Sequence, residues 1–364
     1  MAAWPARSGP DCRGGLDRIV RRRSPRADPT GRNSESAGRA NCLVAAVGHV
    51  TRLAVLSNRR SGGSHDHLEQ VGAVADAHGL LHVATGELDE LEGALKSFAA
   101  RGVEILAING GDGTLDAALT AMRNRHIFER EPAIALLRGG TTNMVHDDVG
   151  LSGKPANALS RLISACQEAV PDRLIRSRRA IAVRRGDAGE ATYGFFFGTA
   201  AVPRAIRMTR QRLHTRGLAG PVGDSLSLIW TMLRLATGHI ANDPVLHPEP
   251  LSWSLDGGAW HEAETVLMVA TTLDRLLLGL RPVSPDGGFG VAGLTWPYRR
   301  LWLRLPAFVR GRGADRGGGL WRARGERLAV CCGAGYTLDG ELFEAPKGTP
   351  IMLDAAPPVR FVLA

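Results

Sequence analysis

Lysine is scarce in this chain, with only three among 364 residues, so arginine supplies nearly all the positive side of a net charge of +9. The charge is uneven, because residues 1–50 hold nine arginines against four acidic residues. A basic balance favours partners that carry phosphate, such as nucleotides, nucleic acids or anionic lipid surfaces, without choosing among them. The basic tail by itself predicts no specific binding to nucleic acid, because attraction to phosphate is independent of sequence.

The chain also lacks a long apolar run and cysteines at metal-ligand spacing. Its nearest approach to a membrane span, Leu226–Leu235, is interrupted by polar residues and falls short of the roughly 18–20 residues that a spanning helix needs. No apolar signal-peptide segment precedes the basic run Arg21–Arg23. The five cysteines are an odd number. These absences predict a cytoplasmic protein with reduced, buried thiols.

Residue composition divides the chain into regions. Residues 1–50, rich in Arg, Ser, Gly and Pro, are expected to form a disordered tail. In residues 51–170, short apolar strands alternate with helices and end in glycine-rich turns, which indicates a doubly wound α/β domain. Residues 171–346 hold short strands around one helical region at 201–239, which indicates an antiparallel β-rich domain. Residues 347–364 are expected to complete the first domain with two more strands, Pro350–Asp354 and Val359–Leu363.

A glycine-rich turn, Asn109–Thr114, follows the apolar strand predicted at Val103–Ile108. Its glycines allow the backbone to approach a ligand, and the amides of the helix predicted at about 115–124 suit a phosphate. Asp112 would repel a phosphate unless a divalent cation lies between them, or unless its carboxylate bonds to the loop or to a ribose. The plainer interpretation is a tight strand–helix turn with a capping aspartate.

Three further turns, Asn58–Gly63, Thr85 and Gly140–Asn143, follow other strands of the same predicted sheet. Ligands in doubly wound sheets bind beyond the carboxyl ends of the strands. These turns are therefore expected to surround one site.

The chain resembles the catalytic family of diacylglycerol kinases, which includes bacterial soluble lipid kinases, sphingosine kinases and ceramide kinases. The resemblance rests on Ser57–Gly62, Gly110–Leu115, Gly140–Asn143 and Leu338–Glu341, and it spans residues 52–364. The Gly-Gly-Asp-Gly-Thr run is shared with NAD kinases, whereas the late Asp-Gly-Glu favours the lipid branch.

The resemblance implies an N-terminal nucleotide-binding domain and transfer of a phosphate from ATP, with Mg²⁺, to the hydroxyl of a diacylglycerol-like, sphingoid or ceramide-like lipid. The nucleotide contacts that it implies are Asn58, Arg59, Ser61, Gly62, Thr85, Gly110, Gly111, Asp112, Gly113, Thr114, Thr141 and Asn143. The metal ligands that it implies are Asp112, Val283, Asp286 and Gly288.

Two carboxylates separated by one glycine, Asp339 and Glu341, have chemistry of their own. A hydroxyl that attacks a γ-phosphate needs a proton acceptor and a group that aims its oxygen. By themselves these residues favour a hairpin turn with two solvated acids, since Asp-Gly is a common hairpin turn. The resemblance implies that Asp339 and Glu341 are the catalytic pair, and their division of roles stays open.

Two basic stretches are candidates for contact with an anionic membrane surface. Arg204, Arg207 and Arg210 recur every three residues, and Pro297–Arg312 mixes aromatic with basic residues. A solvated helix face and a basic loop explain them equally well. We expect a cytoplasmic protein that contacts the inner face of the membrane peripherally, with a membrane lipid as substrate and a homodimer as one option.

Two other functions are compatible with the same residues. One is an NAD kinase-like enzyme acting on a soluble substrate, for which Asn242–Asp243 is the late candidate for a ribose contact. The other is a catalytically inactive relative that binds nucleotide or lipid. We consider an inactive relative because Arg59 stands where the family has proline and Met144 stands where it has aspartate.

Overall fold

The structure is a computed structural model, and it describes residues 52–60, 65–140, 143–166, 172–186, 189–215, 245–276, 287–298, 301–308, 310–312, 316–346 and 348–363. The tail predicted at residues 1–50 and the part of the predicted helical region at 216–239 lie outside this description.

The first part of the described chain alternates strands and helices. Its elements are β1 (Leu53–Asn58), α1 (His65–Ala77), β2 (Leu81–Thr85), α2 (Leu88–Ala100), β3 (Ile105–Gly110), α3 (Asp112–Asn124), β4 (Ala133–Arg138), α4 (Met144–Val149) and α5 (Pro155–Cys166). The strands pair in parallel in the order β4-β3-β1-β2. Every residue of β3 is buried, as expected for a parallel strand covered by helices on both faces. The predicted doubly wound α/β architecture is confirmed.

The second part is rich in antiparallel strands. After a 3-10 turn, Asp172–Leu174, it contains β5 (Ile175–Arg185), β6 (Thr192–Gly194), β7 (Phe196–Ala200), α6 (Ala201–Thr215), β8 (Glu249–Leu255), β9 (His261–Thr271), β10 (Phe289–Thr295), α7 (Leu301–Phe308), β11 (Arg316–Gly317), β12 (Leu320–Gly325), β13 (Arg327–Cys331), β14 (Tyr336–Leu338), β15 (Glu341–Phe343) and β16 (Ile351–Val362). Antiparallel pairing links β12-β10-β9-β8-β13-β16. The antiparallel β-rich prediction is also confirmed.

The last strand joins the two parts. β16 pairs antiparallel with β5 and β13, and near its end Phe361 faces Ile134 of β4 in parallel. Phe361 also packs edge-on against Phe195, with ring centroids 5.9 Å apart. Both rings are fully buried in a core that continues from the parallel sheet into the second part. Burying a phenylalanine contributes about 1.5–3 kcal/mol, so this contact fixes the two parts against each other.

The structure differs from the sequence prediction in three places. Helix α3 begins at Asp112 instead of Leu115, because a helix's first residues need no intrahelical N–H partner and so tolerate Gly113. Helix α7 forms where a basic loop was an alternative, although it contains Pro306. β16 is one strand with a register shift at its two prolines, where two strands were predicted.

Candidate functional site

The glycine turn is shorter than predicted. β3 runs to Gly110 and α3 starts at Asp112, so only Gly111, in an extended conformation, lies between them. Asn58 at the end of β1 donates from Nδ2 to Thr114 Oγ1 at 2.8 Å. A Cβ atom at position 110 would lie 2.6 Å from that same Oγ1. Glycine is therefore required here so that Thr114 can fold back onto the strand end.

Two glycine turns touch backbone to backbone. A Cβ atom at Gly140 would lie 2.4 Å from the Cα of Gly111, and one at Gly139 would lie 2.7 Å from the backbone N of Gly110. The turns that follow β3 and β4 are therefore in contact because neither carries a side chain. This leaves the N-terminal amides of α3 at the edge of the sheet, where they can bind an anion.

Asn143 closes the second turn. It adopts a left-handed conformation, with φ of 46°, which asparagine tolerates better than most residues. Its side-chain Oδ1 accepts a hydrogen bond from Gly140 N at 3.1 Å, and its Nδ2 donates to Gly140 O. The turn is thus closed by one side chain, directly before α4.

Asp112 caps helix α4. Its Oδ2 accepts a hydrogen bond from Met144 N at 2.7 Å and its Oδ1 accepts one from Val145 N at 3.3 Å. Burial raises the pKa of this carboxyl to about 6, and the two backbone hydrogen bonds oppose that rise. Of the alternatives drawn from the sequence, bonding of Asp112 to the loop is the one present in the structure. Position 144 contacts Asp112 through its backbone amide and buries its side chain in the core, so methionine is acceptable there.

The turn after β1 lies against the end of β2. Arg59 N donates to Thr85 O at 2.8 Å, and Arg60 N donates to Asn58 Oδ1 at 2.8 Å. The exposed guanidinium of Arg59 lies 3.7 Å from Glu90 at the start of α2. The backbone N–H of Arg59 thus makes a hydrogen bond to the end of β2 that a proline could not make, and its side chain points a positive charge toward Glu90.

Asp339 occupies a two-residue hairpin between β14 and β15. Asp339 and Gly340 have φ values of 46° and 94°, as a type I′ turn requires. The Asp339 carboxylate is buried and accepts hydrogen bonds from Phe195 N at 2.6 Å and Phe196 N at 2.9 Å. Burial raises its pKa to about 8, and the charge of Asp112 adds to this. The side chain expected to be solvated in a plain hairpin is instead anchored inside the protein.

Glu341 follows the hairpin and reaches the glycine turn. Its Oε1 lies 3.1 Å from the position of a Cβ atom at Gly113, and the residue is exposed. Partial burial of its carboxyl raises the pKa, while the positive charge of Arg210 lowers it. Arg210 also donates to Gly340 O at 3.0 Å. An acid from near the C-terminal end of the chain thus stands at the first turn of α3.

Of the regularly spaced arginines of α6, Arg204 and Arg207 are bound by other parts of the protein, whereas Arg210 is exposed. The Arg204 side chain is 11% exposed and pairs with Glu249 at 2.9 Å. Arg207 donates to Ala334 O from both terminal nitrogens at 3.1 Å. Arg207 and Arg210 connect α6 to the segment that carries the hairpin, and Arg204 connects it to β8. The three-residue spacing therefore marks one face of α6, and the arginines on that face contact other parts of the protein.

Ser61, Gly62, Thr141, Val283 and Asp286 lie outside the described residues, as does the pair Asn242–Asp243.

Gly288 lies within the described residues, where it packs against the turn between β12 and β13. A Cβ atom there would lie 2.2 Å from Gly325 O. Within the described ranges, no group of three or more histidine, cysteine or acidic side chains is arranged to hold a metal. The carboxylates of the site therefore do not fit a complete magnesium ligand set by themselves.

The sequence analysis missed Asp116. This residue lies one helical turn after Asp112 in α3, is 5% exposed and hydrogen-bonds to Asp339. Its position four residues after Asp112 indicates that both side chains share a face of α3. That spacing was the one available signal, because the partner comes from more than two hundred residues later.

Comparison with known proteins finds a family match for the first part of the chain. Residues 52–171 match the family model described as the diacylglycerol kinase catalytic domain. The match covers less than half of the chain, and it supports a diacylglycerol kinase catalytic domain in that part. Within this domain lie the glycine turn, its companion turns and Asp116. The acids of the hairpin follow the matched range.

Solved structures of similar fold come from Bacillus anthracis strain Sterne. One is described as a diacylglycerol kinase, with a TM-score of 0.57, 15% identity, and coverage of 86% of this chain and 94% of that chain. Another, a proposed diacylglycerol kinase, gives a TM-score of 0.59 at 15% identity, with coverage of 86% and 97%. At this identity the likeness shows the fold alone. A comparison with curated proteins finds no match.

Proposed function

We propose that this member of the diacylglycerol kinase catalytic family transfers the γ-phosphate of ATP to the hydroxyl of a diacylglycerol-like, sphingoid or ceramide-like lipid. The observation that carries the proposal is the approach of Glu341 to Gly113, at 3.1 Å from the Cβ position. Phosphoryl transfer to an alcohol needs a proton acceptor beside the site that holds the phosphates.

The nucleotide is assigned to the carboxyl edge of the parallel sheet. Its phosphates would bind the N-terminal amides of α3, where the Gly111–Gly140 contact keeps side chains away. Asn58 and Thr85, at the ends of β1 and β2, would lie beside the rest of the nucleotide. Mg²⁺ would arrive with ATP and neutralise its phosphates. Because Asp112 caps α4, we assign no magnesium ligand to it.

The transfer step assigned to the hairpin is direct. The acceptor hydroxyl gives its proton to the Glu341 carboxylate, its oxygen forms a bond to the γ-phosphorus, and the bond to the β-phosphate oxygen breaks to release ADP. A pKa raised by partial burial brings Glu341 nearer to the working pH, which favours proton acceptance. Asp339 is buried, and it holds in place the hairpin that carries Glu341.

A matched pair of variants tests this assignment. Glu341→Gln should lower kcat by about 10²–10⁴-fold, because the proton acceptor is lost, and should leave ATP affinity unchanged. Glu344→Gln makes the same chemical change three residues later at an exposed position, and should leave kcat unchanged. The measurement is transfer of labelled phosphate to a panel of diacylglycerol, sphingoid base and ceramide in vesicles.

Two results would contradict the assignment. Glu341→Gln with activity within a few-fold of the natural protein would exclude Glu341 as the acceptor. ATP binding without turnover of any lipid would favour the inactive, nucleotide-binding alternative, and phosphorylation of NAD without lipid turnover would favour the soluble-substrate one.

The lipid surface is assigned to α7 and the segment before it. Trp296 and Leu303 are exposed by 43% and 54%, and Arg304, Arg310 and Arg312 are exposed beside them in sequence. Leu301 and Phe308 of the same helix are buried in the core, so the helix has one anchored and one open face. Residues 287–314 contain no acidic residue. Exposed apolar side chains among arginines suit an anionic bilayer.

Vesicle sedimentation tests this surface. Leu303→Asp should reduce binding to phosphatidylglycerol vesicles, because it places a negative charge on the apolar face. Leu88→Asp is the matched control, since Leu88 is 58% exposed and lies in α2. Equal binding by both variants would remove α7 from the proposal.

We place the protein in the cytoplasm, at the inner face of the membrane. Among the described residues, no helix has the length and apolarity to cross a bilayer.

A further inference from the structure

Asp116 and Asp339 form a buried carboxyl pair. They are 5% and 6% exposed, and their side chains hydrogen-bond to each other. An ionised carboxylate only accepts hydrogen bonds, so a bond between two carboxyl groups requires that one of them carry a proton. The pair connects α3 of the matched catalytic domain to the hairpin between β14 and β15.

The surroundings indicate which partner holds the proton. Both oxygens of Asp339 accept backbone hydrogen bonds, from Phe195 N at 2.6 Å and Phe196 N at 2.9 Å, which favours the charged form. Within the described part of the chain, Asp116 Oδ1 is buried without a partner. Burying an oxygen without a hydrogen-bond partner costs less free energy when the carboxyl is neutral than when it is charged. Burial also raises the pKa of Asp116 well above its ordinary value, and the charge of Asp339 adds to the rise.

The charged groups around the pair are mostly acidic. Asp112 from α3 and Glu341 from β15 both raise the pKa of Asp116. Asp147 of α4 acts on Asp112, and Arg210 of α6 acts on Glu341. A second negative charge on the pair would therefore face two further carboxylates.

Tyr193 of β6 also packs on α3, where its backbone N donates to Thr120 Oγ1 at 3.0 Å. Its ring lies under the guanidinium of Arg123. This contact fixes α3 against the second part of the chain beside the bend that binds Asp339.

We propose that Asp116 and Asp339 share one proton, which fastens the hairpin to α3, and that Asp116 is thereby a positioning residue for Glu341. The role in transfer rests on the proposed function, whereas the shared proton does not. Glu341 lies two residues after Asp339, so its distance from Gly113 depends on where the hairpin is held. Loss of the proton sets two adjacent buried charges against each other and moves the hairpin away from the helix.

The pH dependence of stability has a definite sign. A carboxyl whose pKa is higher in the folded than in the unfolded protein binds more protons when folded, so its contribution to stability falls as the pH rises. Burial raises the pKa of both partners, well above 3.8 for Asp116 and to about 8 for Asp339, so the single proton that they share is the one lost as the pH rises. The contribution of the pair is therefore complete at acidic pH and is lost progressively between about pH 4 and pH 8.

Asp116→Asn is the decisive variant, because its amide donates a hydrogen bond to Asp339 at every pH and removes one charge. We expect the fall in Tm between pH 5 and pH 8, measured on the full chain with chelator and no ligand, to be less than half that of the natural protein. Asp89→Asn, an exposed aspartate in α2, should leave the fall unchanged. An unchanged fall in Asp116→Asn would overturn the shared proton, whether or not the protein phosphorylates lipids.

Activity tests the positioning role. Asp116→Asn should keep kcat within about fivefold at neutral pH and extend activity to higher pH, whereas Asp116→Leu should lose about 100-fold in kcat with ATP affinity unchanged. If Asp116→Leu does not fold, the alkaline limb of Asp116→Asn decides alone. An alkaline limb identical to that of the natural protein would overturn the positioning role even if the Tm result supports the shared proton.

Discussion

The contact between Gly140 and Gly111 allows a stability change to be worked out from one distance. Alanine at position 140 would place its Cβ atom 2.4 Å from the Cα of Gly111, about 1 Å inside ordinary van der Waals contact. The obstacle is backbone at the ends of β3 and β4, so it cannot yield by rotating a side chain. Inserting a methyl group into such a space costs about 1–3 kcal/mol of unfolding free energy.

Two further glycines make this a graded series. Gly111→Ala meets Gly140 Cα at 3.1 Å and should lose less stability than Gly140→Ala. Gly93→Ala, in the middle of α2 with nothing within 4 Å of the new atom, should gain about 0.5–1 kcal/mol from helix propensity. Urea unfolding followed by circular dichroism gives all three values. Equal stability of Gly140→Ala and Gly93→Ala would refute the close approach of the two turns.

Three other positions give predictions of the same kind. Asn143→Ala should lose about 2 kcal/mol and Asn143→Gly about 1 kcal/mol in urea unfolding, since both lose the side-chain closure but only alanine resists φ of 46°; equal losses would contradict this. Arg204→Met should lose about 3–5 kcal/mol at pH 8, because it leaves Glu249 buried without its cation. Burial already raises the pKa of Glu249, so the loss should shrink at pH 5, and a pH-independent loss would contradict the pairing. Burial raises the pKa of the Cys166 thiol to about 11, so peptide mapping should find it alkylated only after unfolding; rapid labelling of the folded protein would oppose this.

The nucleotide half of the site could be predicted from the sequence because its parts are local. Gly110, Gly111 and Gly113 are written as one run, and each companion turn follows its own apolar strand. Parallel strands bring their carboxyl ends to one edge, so placing the turns together needed only the fold class. The family resemblance added the distant acids, which local pattern alone could not join to this edge.

What the sequence could not indicate depends on contacts between distant residues. The six-residue helix α4 is too short for periodicity to reveal, and it is stabilised by a carboxylate thirty-two residues earlier, that of Asp112. Arg204 and Arg207 have the spacing of residues on an exposed helix face. In the structure, however, Arg204 pairs with Glu249 and Arg207 donates a hydrogen bond to Ala334 O. Asp116 looks like any polar residue of a helix until Asp339 is placed beside it.

The position of β16 has a consequence for the order in which the protein can be assembled during synthesis. The matched catalytic domain ends at residue 171, but β4 receives its outer neighbour only from the strand Ile351–Val362. About 190 residues separate them, which a ribosome adds in roughly 10–40 s at about 5–20 residues per second. Throughout that interval the edge of a buried parallel strand is open to other chains. Aggregation of nascent protein should therefore respond more to changes in β16 than the small number of its contacts with β4 suggests.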